Sequence, residues 1–146
     1  MASRWLCQIP CIGPIRTALL IALMQTPQRF RTKRQLWAYS GLAVETRDSA
    51  EYRVRDGQLE RTRKQLQVRG LNSNRNPHLK QLFKGTAISA STHPGPFGEF
   101  YGVLLKKGIK TPMARLTLAR KIAAIVLAVW KKGERFDATK LNTQAA

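Results

Sequence analysis

Nine consecutive apolar residues, Ile122 to Trp130, constrain this chain more than any other stretch. Thr111-Pro112 ahead of them and Gly133 behind them mark the start and stop of a long helix. Met113, Leu116, Ala119, Ile122, Val126 and Trp130 recur every three or four residues along it. A helix that becomes apolar on every side must be surrounded by the rest of its own domain. The run is too short to span a bilayer. Arg115, Arg120 and Lys121, in its first half, are expected to remain free for nucleic acid or solvent.

The elements that surround it are marked by prolines, glycines and capping residues. Pro14 fits the first position of a helix in which Ile15, Ala18, Leu19, Ala22 and Leu23 follow at helical spacing, and Thr26-Pro27 ends it. The approach, Ile9-Pro10-Cys11-Ile12-Gly13-Pro14-Ile15, reads equally as a plain capping turn or as the hairpin of a helix-hairpin-helix. In the second case backbone N–H groups near Gly13 and Ile15 meet a DNA phosphate without reading its sequence. Thr32 is the N-cap of a short helix through Tyr39, with Leu36, Trp37 and Tyr39 toward the core and Gly41 as its stop. Asn76 caps a helix that begins with Pro77, runs to about Ser91 and buries Leu79, Leu82, Phe83 and Ala87. Another helix, about Phe97 to Lys107, places Phe100, Tyr101, Leu104 and Leu105 on one side. The expected fold is mainly α, with residues 1–133 as one compact domain and 134–146 as a polar tail.

One β element interrupts the helices. Tyr52-Arg53-Val54-Arg55 and Gln58-Leu59-Glu60-Arg61 flank Asp56-Gly57, a strong hairpin signal. Arg53 and Arg55 would share one face of that ribbon. Ser49 lies just before it, with Arg47 on its other side. A serine among arginines suits attack on a phosphodiester, because the guanidinium groups can hold phosphate and offset developing charge. The same residues also describe an ordinary basic surface loop. Arg69 to Arg75 reads as a loop rich in amides.

Charge names the partner. Twenty-six Lys and Arg against eight Asp and Glu give +18, which calls for a polyanion, nucleic acid by default. Arg29-Phe30-Arg31-Thr32-Lys33-Arg34 is a basic run with one aromatic, four cations within six residues, of which Arg31, Lys33 and Arg34 are the expected phosphate contacts. Cys7 and Cys11 match no zinc spacing and read as free thiols of a cytosolic protein. Paired carboxylates for a metal, a Gly-rich nucleotide loop and a Ser/His/Asp set are all missing, with only Asp48 and Glu51 near Ser49. A serine acting on phosphate is the one reaction left open, and it would need a base or metal to activate the hydroxyl.

Several strings in order resemble the C-terminal transposase domain of the insertion sequence 110/116/902 family, which is related to the Piv DNA invertase. They are Ile9 to Pro14, Arg29 to Leu42, Asp48 to Arg53, Gly70-Leu71-Asn72, Asn76 to Lys80 and Leu118 to Ile125, spread over roughly Trp5 to Leu141. The resemblance implies DNA recombination through a serine joined covalently to the broken strand, in an oligomer directed by an RNA. It makes Ser49 the nucleophile. Gly13, Ile15, Arg31, Lys33, Arg34, Arg47, Arg53, Arg55, Arg69 and Arg75 are the expected DNA contacts. Cys11 stands where the hairpin usually has glycine, Ala50-Glu51 where Gly-Gly is common, and Asn76-Pro77-His78 is offset from the commoner Asn-His-Asn. The family's Mg²⁺ is bound by an N-terminal RuvC-like acidic domain that has no counterpart here, so no metal or cofactor is expected in this chain. The expectation is a nucleoid-associated C-terminal piece that binds DNA but does not recombine it alone. A competing expectation is a non-catalytic nucleic-acid-binding module, a transposase remnant.

Overall fold

A computed structural model describes residues 2–49, 52–61, 66–72 and 75–143. Seven α-helices appear among them: α1 (Ala2–Leu6), α2 (Pro14–Met24), α3 (Lys33–Tyr39), α4 (Pro77–Thr92), α5 (Pro96–Lys106), α6 (Thr111–Lys132) and α7 (Thr139–Thr143). A 3-10 turn, Pro27–Arg29, joins α2 to α3. Four strands lie between α3 and α4: β1 (Val44–Ser49), β2 (Tyr52–Arg55), β3 (Gln58–Arg61) and β4 (Leu66–Leu71). The fold is mainly helical, as the periodicity requires.

Helix α6 is the centre. Leu118, Ile122, Ala123 and Val126 are completely buried, and α1, α3, α4, α5 and the 3-10 turn all pack on it. Removing each such Leu, Ile or Val from water contributes roughly 1.5–3 kcal/mol. The burial is uneven, however. Met113, expected on the core stripe, is 50% exposed, while Ala114 beside it in the first turn is fully buried. Gly133 (φ +62) stops the helix in the left-handed conformation.

The caps work as the sequence specifies. Asn76 Oδ1 accepts from Leu79 N at 3.1 Å, and Thr32 Oγ1 accepts from Gln35 N at 3.4 Å. Two readings need correction. Helix α2 buries Thr17, Leu20 and Met24, while Ile15 and Leu19, placed on the apolar stripe, are 79% and 47% exposed. The helix is apolar on most sides, so periodicity left its rotation open. Arg16 sets it, donating to Cys11 O at 2.8 Å and to Ser89 Oγ on α4 at 3.3 Å. The stretch after Gly133, polar by composition, also contributes to the interior: Phe136 packs on Phe97 with centroids 5.6 Å apart, and Leu141 is buried.

The β region is larger than the expected hairpin. β2 and β3 pair as foreseen, with Val54 opposite Leu59 and a turn at Asp56 (φ +51) and Gly57 (φ +76). Outside them in sequence, β1 pairs antiparallel with β4, from Val44–Leu71 to Ser49–Leu66. Gly70 and Leu71 are therefore strand residues, where an amide-rich loop was expected. Among the described residues the main packing of each ladder is between its own two strands, so the strands form an arm on the helical body.

The arm is pinned where it leaves the body. Asn72 N donates to Ala43 O at 3.2 Å, Asn72 Nδ2 to Ala38 O at 2.6 Å, and Asn76 N to Tyr39 O at 2.8 Å. Gly41 (φ +73) lies under the aliphatic stem of Arg75, so close that an added Cβ would overlap Arg75 Cδ and stand 3.0 Å from its Cβ. Gly41→Ala should therefore cost more in urea denaturation than Gly133→Ala. Both incur left-handed strain of about 1–2 kcal/mol, but a Cβ at Gly133 meets only Trp5 Nε1 at 3.8 Å. Arg75→Ala should recover part of the Gly41→Ala loss and none of the Gly133→Ala loss.

Candidate nucleic-acid interface

The arm separates the charges. Between Val44 and Asn72 lie seven basic and five acidic residues, net +2. The remaining sequence holds nineteen basic residues and three acidic ones, Glu99, Glu134 and Asp137, net +16. Among the described residues the one ion pair is Lys140–Glu134 at 3.6 Å. The field that attracts a polyanion therefore originates on the helical body.

Its most organised part surrounds α3. Arg31, Lys33 and Arg34 are exposed on and just before the first turn of that helix. Gln35 Oε1 accepts from Arg31 N at 2.7 Å, and Lys131 Nζ donates to the backbone carbonyls of Phe30 and Arg31, which holds the basic segment to the end of α6. Lys33 Nζ stands over the Trp37 ring, 5.6 Å from its centroid. Lys121 on α6 lies 5.8 Å from the Phe100 ring centroid. Burial, then the nearby charge of Lys33, lowers its pKa from the ordinary lysine value. Two cations from helices far apart in sequence thus share one local field.

Arg120 was expected to be free for nucleic acid, and the structure corrects this. Its Nε donates to Leu42 O at 2.6 Å, its guanidinium lies over Trp37 at 6.0 Å, and Trp37 Nε1 donates back to Arg120 O at 3.0 Å. Burial lowers its pKa. The residue fastens α6 to the segment that leads into β1. Arg29 makes a similar corner, donating to Met24 O at 3.2 Å and lying over Phe30 and Tyr39. A hydrogen bond from Asn76, then one from Arg29, lowers the Tyr39 pKa. No sequence signal separates such arginines from free ones, because their acceptors are backbone carbonyls.

The other expected site residues are dispersed. Ser49 ends β1 opposite Leu66, with Arg47 opposite Val68 and Arg69 opposite Thr46. Arg53 is opposite Glu60, and Arg55, exposed, is opposite Gln58. Ala50, Glu51, Arg63 and Lys64 lie outside the described residues. Arg75 is exposed at the arm's root, where it donates to Asn72 O at 3.3 Å. Lys80, which sequence reasoning did not single out, is half-buried one turn further along α4. Burial lowers its pKa, followed by the charges of Arg75 and Lys84. Gly13 and Ile15 are exposed at the start of α2, beside Cys11 in the left-handed conformation (φ +65). Among the described residues, no three His, Cys, Asp or Glu side chains converge to hold a metal ion. No helix among them is long and apolar enough to cross a membrane.

The sequence profile of the Transposase IS116/IS110/IS902 family matches residues 3–102. This chain belongs to that family. The match runs from α1 through the arm and into α5, so the arm and the basic first turn of α3 are family territory. No curated protein matches the chain. Its function is therefore transposase-related, in a family that acts on DNA.

Arg120→Met should destabilise this family member by roughly 1–3 kcal/mol, since it leaves the Leu42 carbonyl without its charged donor. Its loss of DNA affinity should be no larger than that of a single exposed lysine. Thermal denaturation followed by circular dichroism and DNA titration check the two halves.

Proposed function

We propose that the chain is a DNA-binding part of an insertion-sequence transposase, with Ser49 as the nucleophile for strand exchange. The observation that carries the binding reading is the net +16 of the helical body, concentrated where Arg31, Lys33 and Arg34 stand exposed. Phosphate neutralisation by such cations releases counterions and binds DNA without reading its sequence. The turn before α2 supports a second backbone contact of the helix-hairpin-helix kind. Cys11 adopts the left-handed backbone that the motif's glycine would adopt, and no side chain caps the N–H groups after Gly13.

Ser49 reaches this assignment through the family and its position in the arm. In the reaction, the Ser49 Oγ–phosphorus bond forms as the phosphorus–oxygen bond to the leaving strand breaks, and the serine proton passes to a base. Arg47 and Arg69, on the paired strands of the same ladder, are the proposed phosphate contacts, with Arg53 and Arg55 further along the arm. Among the described residues no cluster of three His, Cys, Asp or Glu side chains would hold Mg²⁺. A guide RNA would engage the same phosphate-binding cations.

Replacing Arg31, Lys33 and Arg34 together with Gln should weaken binding to unrelated duplexes alike. The slope of log affinity against log salt should become shallower by about 2–3, near 0.9 per lost phosphate contact; an unchanged slope would place the interface elsewhere. Ser49→Ala should leave affinity intact but abolish covalent protein–DNA adducts when the acidic domain is added in trans. If the unsubstituted chain forms no adduct under those conditions, the non-catalytic binding module is the correct reading.

A further inference from the structure

We infer that a groove at the root of the arm holds an unpaired nucleotide of single-stranded DNA and so receives the strand freed at Ser49. The inference rests on the role proposed for Ser49. Leu71 of β4, Ile88 of α4, and Met113 and Leu116 of α6 line a groove of about 410 Å³, together with Lys84 of α4 and Arg115 of α6. That volume falls within the roughly 300–1,000 Å³ of sites that take small organic groups. Ile88 and Met113 are 47% and 50% exposed there, although both helices bury their other apolar faces. Lys84 and Arg115 are exposed, and neither makes a hydrogen bond or ion pair among the described residues.

Charge makes the occupant an anion. Helices α4 and α6 contain no Asp or Glu. From Arg61 to Gly133 there are fifteen basic residues against one acid, Glu99 on α5. Strand β1, which pairs with β4, adds Glu45 and Asp48 against Arg47 and leaves the excess large. The apolar lining makes that anion an unpaired nucleotide. A duplex keeps its base faces stacked and offers such a groove only sugar and phosphate. An unpaired base presents a flat apolar face, which aromatic or aliphatic side chains cover while cations hold the backbone. Lys84 and Arg115, one from each helix, supply a cation for the phosphate on either side of that base. Position ties the groove to the reaction. Leu71 is the last residue of β4, opposite Val44, and Ser49 is opposite Leu66 at the far end of the same ladder. Five residue steps separate Val44 from Ser49, roughly 17 Å at about 3.3 Å per residue, the rise of about five nucleotides at 3.4 Å each. A strand broken at Ser49 has to unpair before it is exchanged. A groove within that reach covers its bases while they are unpaired.

The experiment measures binding of the full chain to a thymidine oligodeoxynucleotide, to a uridine oligoribonucleotide of the same length and to a duplex, by fluorescence anisotropy over a range of salt. Ile88→Ser with Met113→Ser should weaken binding of the thymidine oligomer roughly tenfold, the loss expected when one base no longer packs on protein. The duplex should lose far less. Lys84→Gln with Arg115→Gln should make the salt slope for the single strand shallower by about 1.4, near 0.7 per lost phosphate contact. All four side chains are exposed, so circular dichroism should show the variants folded. A second measurement locates the strand. A thymidine oligomer carrying one 5-iodouracil, irradiated with the unsubstituted chain, should crosslink to the tryptic peptide Thr111–Arg115, which contains Met113. Equal losses for duplex and single strand, or crosslinks only outside the groove, overturn the inference. So does tighter binding of the uridine oligomer through the same side chains, which would make the occupant RNA. No loss for any ligand also overturns it and leaves the groove to a protein partner. Affinity is read without adducts, so missing adducts count against Ser49 and an unchanged single-strand affinity counts against the groove.

Discussion

Burial of α6 is the constraint on which the rest of the structure depends. A helix apolar all round gains stability only when every side is covered, and α1, α3, α4 and α5 each present an apolar stripe to it. This requirement gathers the shorter helices around α6 into one body. It also frees the polar sides of those helices to carry charge outward. The core and the basic surface are consequences of the same pattern.

The second requirement is a firm base for the arm. Arg120 holds Leu42, Asn72 holds Ala38 and Ala43, Asn76 holds Tyr39, and Gly41 admits the stem of Arg75. All of these join the residues on either side of the β insertion to helices packed on α6. Ser49, five residues beyond Val44, thus stands on a ribbon whose root is fixed by hydrogen bonds to backbone carbonyls. Such contacts persist at the high ionic strength that removes surface electrostatics. The arm can therefore keep its direction while the body's phosphate contacts come and go.

Function divides along the same line. The body contributes a broad cationic field, suited to holding DNA of any sequence, and the arm contributes the residue proposed to react. The arm's near-neutral charge follows from Glu45, Asp48, Glu51, Asp56 and Glu60, five of the chain's eight acids.

Local chemistry makes much of this fold legible in the sequence. Pro14, Pro77, Gly41 and Gly133 act through their own backbone preferences and Thr32 and Asn76 through side-chain caps, so the starts and stops of the helices follow from neighbours a few residues away. The Asp56-Gly57 turn is local in the same way, and the total charge follows from composition alone. Tertiary structure decided what depends on distant partners. The pairing of Val44 with Leu71 joins residues far apart in sequence, and β4 ends in Gly70-Leu71 before Asn72, where Gly and Asn signal a loop locally. The rotation of α2 came from Arg16 reaching α4, and the fate of Arg120 from a carbonyl on another element. A cation's sequence neighbours do not reveal which carbonyl it will meet, so the sequence determined that the chain is basic and helical, and the fold determined which charges are left to act.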